Sequence, residues 1–158
     1  MVMVGMADLN SVKDPGALTT LGLGSCVGIT LWDPITKVSG MAHCMLPDST
    51  EISNNSNVAK FVDTALMRMI NDMVRLGANK TRMRAKLAGG AQMFALNSTN
   101  ATMRIGDRNV EAAKKCLREA GIPIVAQDTG DNYGRTIELH SDDGRLVIKT
   151  VGKGQKIL

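Results

Sequence analysis

A series of short apolar runs, most of them bounded by Gly, Pro, Asn or Asp, constrains the fold of this chain more than any other feature. Runs of this length between turn residues are typical of β-strands. Asp33-Pro34 and Asp142-Asp143-Gly144 predict hairpin turns, because proline presets φ and glycine accepts positive φ. The predicted strands are Val2–Gly5, Ala17–Leu21, Val27–Trp32, Val38–Met45, Met83–Ala88, Thr102–Ile105, Ile122–Asp128, Thr136–His140 and Leu146–Val151.

Two longer segments have the spacing of amphipathic helices instead. From Asn57 to Leu76, apolar residues recur at steps of three and four, which predicts a helix that ends at Gly77. A second helix is predicted from Asn109 to Ala120, with Gly121 after it. The chain is therefore expected to adopt a strand-rich mixed α/β (α+β) fold with two main helices. Its 158 residues, without a repeat or a linker, predict a single domain over residues 1–158.

The strongest chemical signal is Cys26, which ends a glycine-rich run, LGLGSC, at residues 21–26. His43, one of only two histidines, lies on the strand after the one that Cys26 begins. A histidine within hydrogen-bond reach can take the proton of a thiol that is otherwise protonated at neutral pH. The glycines permit a bend that exposes the sulfur and aims the amides near Gly24 and Ser25 at a developing oxyanion. This pattern indicates a thiol nucleophile with its base.

A structural role is the alternative for each of the three cysteines. Free cysteine is among the most buried residue types, so a small core site is the competing interpretation of Cys26. Cys44 follows His43 directly and on a strand would face the other way, which predicts a core position. Cys116 lies beside the apolar stripe of the second helix, which predicts a half-buried position without a chemical role.

An antiparallel hairpin through Asp33-Pro34 would bring His43, late in its strand, back beside Cys26 at the start of the previous one. The other nitrogen of the imidazole then needs a polar partner that fixes the tautomer. Thr20, at the end of the preceding strand, is the nearest candidate, and Thr19 is its rival. The competing interpretation of Thr20 is an ordinary β-former on a half-buried strand.

Composition and charge exclude several classes of protein. A scattered net charge of +4 and only 3% aromatic residues give no stacking platform for nucleic acid. The few Cys and His residues lack metal-ligand spacing, so neither a disulfide nor a zinc site is expected. A secretion signal and an apolar run of the ~20 residues that span a bilayer are both missing, which predicts a cytoplasmic protein without membrane insertion.

Several motifs in order along the chain resemble those of one bacterial family. They are LGLGSC at residues 21–26, AH at 42–43, MLPDS at 45–49, KLAGGA at 86–91, IGDRN at 105–109 and DTG at 128–130. This set resembles the chemoreceptor glutamine deamidase family, CheD, of bacterial chemotaxis. The resemblance implies hydrolysis of selected glutamine side-chain amides to glutamate on the cytoplasmic helices of chemoreceptors.

The same resemblance implies that Cys26 is the nucleophile, His43 its base and Thr20 the residue that orients the base. Attack of the thiolate on the amide would release ammonia and leave a thioester, which water then hydrolyses. No metal or organic cofactor is required, because side chains perform every proton and acyl transfer. The implied fold is a β-sandwich-like core with flanking helices, similar to the catalytic core of the cytotoxic necrotizing factor toxins.

The family also implies a second partner, a CheC-type phosphatase of the response regulator that competes with receptors for the deamidase. One alternative is therefore an adaptor that stimulates this phosphatase and has weak catalysis. Another is a thiol hydrolase or redox protein of unrelated purpose. Met93 and Phe94, after the run Gly89-Gly90-Ala91, are candidate partner-binding residues, because aromatic anchors often carry much of an interface's energy. The alternative is that both side chains point into the core.

Overall fold

The computed structural model describes residues 1–51, 53–93 and 104–158. Within these ranges the chain forms ten strands and two α-helices, with short 3₁₀ turns at Ser49–Glu51 and Lys80–Arg82. The helices are α1 (Val62–Arg75) and α2 (Ile105–Ala120). The strands are β1 (Val2–Met3), β2 (Asp8–Lys13), β3 (Ala17–Leu23), β4 (Val27–Asp33), β5 (Val38–Cys44), β6 (Arg84–Gly89), β7 (Ile124–Thr129), β8 (Arg135–His140), β9 (Leu146–Thr150) and β10 (Gly154–Ile157).

The strands form two sheets of five strands each. Sheet A has the order β1-β3-β8-β9-β10 and sheet B the order β2-β5-β4-β6-β7. Helix α1 packs on β5 and β2, and α2 packs on β4, β6 and β7. The molecule therefore has three layers, with sheet B between the helices and sheet A. The prediction of a strand-rich mixed α/β fold with two main helices is confirmed.

Two hydrophobic cores lie on the two faces of sheet B. Val27, Ile29 and Leu31 of β4 face the helices and pack in the core that α1 and α2 close. The second core lies between the sheets and includes Leu18 of β3 and Ile137 of β8. Because β5 sits inside the middle layer, all seven of its residues are buried. A polar side chain on this strand must find its partner inside the protein.

The predicted hairpins are confirmed, and two strands were missed. Strands β4 and β5 pair antiparallel across the Asp33-Pro34 turn, and β8 pairs with β9 across the turn at 142–144. Strands β2 and β10 were not predicted, because both are edge strands with mainly polar or exposed residues. The predicted strand Thr102–Ile105 is wrong at Ile105, which begins α2, whereas Thr102 and Met103 lie outside the described residues.

Both helices end where the sequence predicts, and both begin elsewhere. Helix α1 stops before Gly77, whose φ is +105°, and α2 stops at Gly121 with a φ of +74°. Helix α1 begins at Val62, five residues after the predicted Asn57, because the Lys60 carbonyl accepts the amides of Met45 and Leu46 at 2.9 and 3.1 Å. The chain before α1 thus pairs with the end of β5. Helix α2 begins four residues before the predicted Asn109.

Candidate active site

Cys26 lies directly before β4, at the edge of the core between the two sheets. The amide of Gly90 donates to the Cys26 carbonyl at 2.8 Å, and the amide of Ala91 donates to the Gly24 carbonyl at 2.9 Å. The end of β6 therefore holds the glycine-rich turn from one side. The turn leaves Cys26 only 8% exposed, which corrects the expectation that the bend exposes the sulfur. The thiol is recessed below the surface.

His43 lies on β5 and is 1% exposed. It pairs with Gly28 of β4, so Cys26 is two residues from the position opposite the histidine. Side chains in this diagonal relation are about 7–8 Å apart at their bases, within reach of a long side chain. The expected juxtaposition through the hairpin is thus present. Among the described residues, His43 Nε2 has no hydrogen-bond partner, so the hairpin register places Cys26 and His43 diagonally without a hydrogen bond between them.

Thr20, from sheet A, makes the hydrogen bond that determines the tautomer of His43. Its Oγ1 lies 2.7 Å from His43 Nδ1 and 2.7 Å from the carbonyl oxygen of Val4. A hydroxyl has one proton to donate, and a carbonyl can only accept. Thr20 therefore donates to Val4 and accepts from Nδ1–H, which leaves the lone pair of the neutral ring on Nε2. The buried and unpartnered Nε2 is the atom that a general base requires.

The rival residue, Thr19, faces elsewhere. Its hydroxyl donates to the Ile137 carbonyl of β8 at 2.8 Å. Adjacent residues on a strand point to opposite faces, so only one of the two threonines can reach the histidine across the core between the sheets. The structure brings Thr20, and not Thr19, to His43.

Asn109 of α2 connects the turn before Cys26 to the segment that follows β5. It is fully buried, and its Nδ2 donates to the Ser25 carbonyl at 2.9 Å and to the Met45 carbonyl at 3.0 Å. The pairing between β4 and β5 ends at Val27 and Cys44, so Asn109 joins the two chains just beyond their last pair. Its Oδ1 is buried and has no hydrogen-bond partner in the part of the chain that the structure describes. The sequence analysis places Asn109 at the start of the second helix and in the IGDRN motif, and assigns its side chain no role in the site.

Hydrogen bonds to the carbonyls of Gly24 and Ser25 fix the directions of the amides that follow them in the turn. In a trans peptide the C=O and N–H groups point in opposite directions. The Ser25 amide therefore points away from the contact between Gly24 and Ala91, and the Cys26 amide points away from Asn109. Gly89 has a φ of +96°, and a Cβ there would collide with the Cys26 carbonyl oxygen. Glycine at 89 is required for this close approach.

Burial shifts the pKa values of the two reacting groups in opposite directions. Desolvation raises the pKa of Cys26 above its ordinary value of 9.0, and a hydrogen bond from its own backbone amide offsets this only in part. Desolvation lowers the pKa of His43 below its ordinary value of 6.5. At neutral pH the site therefore rests as a neutral thiol and a neutral imidazole. Formation of a thiolate at this site therefore requires an acceptor for the proton, and the neutral imidazole has an acceptor nitrogen at Nε2.

The other predicted positions fall as follows. Cys44 is fully buried in the core on the helix side, away from His43, and Cys116 is half-buried against the same core, as predicted. Met93 is 44% exposed rather than part of the core. Phe94 lies outside the described residues. Within residues 1–51, 53–93 and 104–158, no group of three or more His, Cys, Asp or Glu residues is arranged to hold a metal.

The family model and the similar proteins found for this chain carry the same family name. A family model described as CheD chemotactic sensory transduction matches residues 45–150. A Lachnoclostridium phytofermentans protein named probable chemoreceptor glutamine deamidase CheD is 58% identical over 156 residues, 99% of this chain and 97% of that protein. The chemoreceptor glutamine deamidase CheD of Halalkalibacterium halodurans is 53% identical over 157 residues, again 99% and 97%.

The similarity to a solved structure is weaker. The crystal structure of the Bacillus licheniformis hypothetical protein YfiH matches 72% of this chain and 46% of its own chain, with a TM-score of 0.43 and 16% identity. A similarity of this size carries no argument about fold or function. Among the described residues, no helix is long and apolar enough to cross a membrane.

Proposed function

The chain belongs to the CheD family, and we propose that it is a chemoreceptor glutamine deamidase in which Cys26 is the nucleophile and His43 the base. Thr20 orients the base. The observation that carries the assignment of residues is the Thr20 hydroxyl, which donates to Val4 and so accepts Nδ1–H of His43. It leaves Nε2 free to take a proton beside a recessed thiol.

The first half of the reaction forms a thioester. His43 Nε2 removes the proton of Cys26, and the sulfur bonds to the carboxamide carbon of a glutamine side chain. The amides of Ser25 and Cys26 donate to the oxyanion that develops on the carbonyl oxygen. The imidazolium then gives its proton to the amide nitrogen, the C–N bond breaks, and ammonia leaves.

The second half restores the enzyme. Water enters where ammonia left, His43 Nε2 takes one of its protons, and the oxygen bonds to the thioester carbon. The C–S bond breaks, and the sulfur recovers the proton from the imidazolium. The products are a glutamate side chain and free Cys26. Each step uses only groups of this chain and water, so the reaction balances without a cofactor.

Mass spectrometry of a receptor cytoplasmic fragment co-expressed with this chain tests the proposal. Conversion of a glutamine amide to an acid raises the mass by about one unit at each modified position. The shift is expected with wild type and with Cys116→Ser, and it should disappear with a folded Cys26→Ala variant. Modification that persists without the Cys26 sulfur would overturn the assignment.

Two further elements of the proposal concern partners. Met93 is exposed beside the nucleophile turn, which supports a place for it in the surface that receives the receptor helix.

A CheC-type phosphatase that competes with receptors must cover the same site or surface. Addition of the phosphatase should therefore slow deamidation and protect Cys26 from alkylation. The cytoplasmic location is part of the same proposal, since the substrate helices lie there.

A further inference from the structure

Arg135, the first residue of β8, carries a buried positive charge. Alternation along β8 places its side chain on the same face as Ile137, which packs in the core between the sheets. The guanidinium is fully buried. Its Nε donates to the carboxylate of Asp128 at 3.2 Å, and its Nη1 donates to the carbonyl of Gly130 at 3.0 Å. These two contacts join β8 to the turn that follows β7.

Stability alone does not explain a guanidinium in this position. A buried ion pair contributes little net stability, because the loss of hydration offsets the attraction between the charges. What arginine adds over an apolar side chain is a planar fork that holds two acceptors in a fixed arrangement. Here one acceptor is a side chain and the other is backbone. Asp128 and Gly130 are the two ends of the DTG motif at residues 128–130, which the residues of the proposed active site do not include.

The turn after β7 is bonded in its turn to the end of β6. The Gly130 amide donates to the Gly89 carbonyl at 3.0 Å. The Gln92 amide donates to the Asp131 carbonyl at 2.9 Å. Residues 89–92 therefore form a bridging segment beside the turn that Arg135 holds.

The bridging segment also holds the turn before Cys26. Its Gly90 amide donates to the Cys26 carbonyl at 2.8 Å. Its Ala91 amide donates to the Gly24 carbonyl at 2.9 Å. Gly89 approaches so closely that a Cβ on it would collide with the Cys26 carbonyl oxygen. A displacement of the bridging segment would therefore be passed to the backbone of Cys26.

We infer that Arg135 is a positioning residue for Cys26. Its Nη1 fixes the Gly130 carbonyl, the Gly130 amide fixes the bridging segment, and the bridging segment fixes the backbone of Cys26. The effect passes through backbone hydrogen bonds and requires no contact of the guanidinium with the sulfur or the substrate. Its consequence for the reaction rate rests on the proposed deamidase function, whereas its consequence for the backbone does not.

Arg135→Lys tests the inference, because lysine keeps the positive charge but lacks the fork that makes both contacts. We expect kcat for ammonia release from the receptor fragment to fall by about tenfold with little change in KM, since the reacting groups lose their alignment. Hydrogen exchange, measured by NMR, should become about tenfold faster at the Gly90 and Ala91 amides, because local opening exposes them more often.

Arg82→Lys is the matched control. Arg82 makes a comparable fork with the buried carboxylate of Asp33, at 3.1 and 2.9 Å. Asp33 ends β4, whereas Cys26 lies directly before its start. Both lysine variants should lower the melting temperature, but only Arg135→Lys should lower kcat and speed exchange in the bridging segment. A folded Arg135→Lys protein that matches Arg82→Lys in either measurement would overturn the inference.

If Arg135→Lys does not fold, a pair of glycine variants decides. Gly130 and Gly152 have φ values of +81° and +77°, and a Cβ on either would meet no atom of the described residues within 4 Å. Alanine is strained at both positions, so both variants should lose similar stability. Only Gly130→Ala should also lower kcat and speed exchange in the bridging segment, because relief of the strain moves the amide that bonds to Gly89. Equal behaviour of the two alanine variants would overturn the inference. A wild-type protein that releases no ammonia, in a chain that shows the expected differences in exchange, would instead overturn the proposed function.

Discussion

At the scale of single residues, the tautomer of His43 is determined by the direction in which the Thr20 hydroxyl donates its proton. That proton goes to the Val4 carbonyl, so the hydroxyl oxygen can only accept from Nδ1–H. The consequence is a buried Nε2 that no other described residue pairs with. Leaving a buried acceptor unpaired costs about 1–3 kcal/mol. In the proposed reaction this cost is relieved, because Nε2 gains the proton of the thiol.

Thr20→Val tests this role, because valine keeps the shape of threonine without the hydroxyl. Loss of the acceptor frees the ring to rotate or change tautomer, and we expect kcat to fall by about 10–100-fold, a share of what a positioned base contributes. Thr20→Ser should restore most of the rate. Steady-state ammonia release from the receptor fragment measures both. A valine variant with wild-type kcat would show that the histidine needs no orienting group.

The lowered pKa of His43 predicts the acid limb of the activity profile. The base must be neutral to accept the proton, and burial holds its pKa below 6.5. Activity should therefore stay level as pH falls toward 6.5 and decline only below it. A profile of kcat/KM from about pH 4 to about pH 10 reports the ionisations of the free enzyme. An acid limb centred above 6.5 would contradict the neutral buried imidazole.

The two hydrogen bonds of Asn109 predict that it positions the turn of Cys26, and Asn109→Asp tests this prediction. The aspartate has the same shape but places an acceptor against the carbonyls of Ser25 and Met45. We expect kcat to fall by about tenfold or more with little change in KM, because the reacting groups lose their alignment. The rate of Cys26 alkylation should change its pH dependence as well.

The control for Asn109 is Ser39→Ala. The Ser39 hydroxyl is buried and donates to the Ser141 hydroxyl at 2.8 Å, so its loss should cost about 1 kcal/mol of stability. Ser39 pairs with Trp32 near the opposite end of β4, and kcat should remain at the wild-type value. If Asn109→Asp lowered only the melting temperature, its role would be structural alone.

The sequence located Thr20, Cys26 and His43 but not Asn109, for a physical reason. Cys26 and His43 lie on the two arms of one hairpin, whose register limits which side chains can meet. Thr20 meets His43 from the other sheet, and its prediction came from its place at the end of the preceding strand and from the family resemblance. Asn109 reaches the site from α2, which packs on β4 and β6 across the sheet. Local spacing contains no information about that approach.

At the scale of elements, the first turn of α2 lies against the end of β6. A Cβ on Gly106 would lie 2.5 Å from the Ala91 carbonyl oxygen and 2.6 Å from that of Gly90. The same stretch of backbone donates to the carbonyls of Cys26 and Gly24. The start of α2 and the nucleophile turn are therefore packed on opposite sides of one short segment.

Gly106→Ala should reverse the usual effect of alanine in a helix. In an unhindered helix interior this change stabilises by about 0.5–1 kcal/mol, but here the new methyl group pushes α2 away from β6. We expect lower stability and lower kcat together, measured by thermal unfolding and ammonia release. Gly121→Ala is the control, since its Cβ would meet nothing within 4 Å and strain at positive φ should cost stability only.

Helix ends were easier to predict than helix starts. Gly77 and Gly121 adopt positive φ after the last turn, a local requirement that the glycine itself reveals. The start of α1 depends on the Lys60 carbonyl, which binds the chain after β5. A contact between distant segments therefore decides where α1 begins, and periodicity cannot detect it.

At the scale of the whole molecule, Asp33 fastens the β4–β5 hairpin to the segment before β6. Its buried carboxylate accepts from Arg82 at 2.9 Å and from the Asn79 amide at 2.9 Å. Burial alone would raise the pKa of Asp33, but the hydrogen bonds from Arg82, Asn79, Ile35 and Thr36 lower it well below its ordinary value of 3.8. The charged form is therefore strongly favoured in the folded state.

Asp33 should contribute to acid sensitivity with a defined sign. Its folded pKa is lower than its unfolded pKa, so its contribution is complete above about 3.8 and is lost as pH falls below that value. Asp33→Asn should reduce the unfolding free energy at pH 7 by about 3 kcal/mol, because Arg82 loses its partner. Denaturant unfolding at several pH values should show the two proteins converging in acid. A constant difference at every pH would contradict this account.

The general architecture was predictable from the sequence, and the strand order was not. Turn residues and periodicity predict many strands and two helices. In such a fold, a sheet that lies between the helices and a second sheet is buried on both of its faces. The pairing of β3 with β1 and β8, and of β6 with β7, joins segments far apart in the chain. Which strands become neighbours depends on how the whole faces of sheets and helices pack together, and a local sequence pattern carries no information about that packing.

The hydrogen bond between Thr20 and His43 also determines when activity can arise during folding. Thr20 belongs to sheet A, whereas Cys26 and His43 belong to sheet B. A chain in which only sheet B has formed contains the thiol and the imidazole but lacks the group that orients the ring. The proposed site is therefore complete only in a chain whose two sheets have docked, although all of its reacting groups lie within one of them.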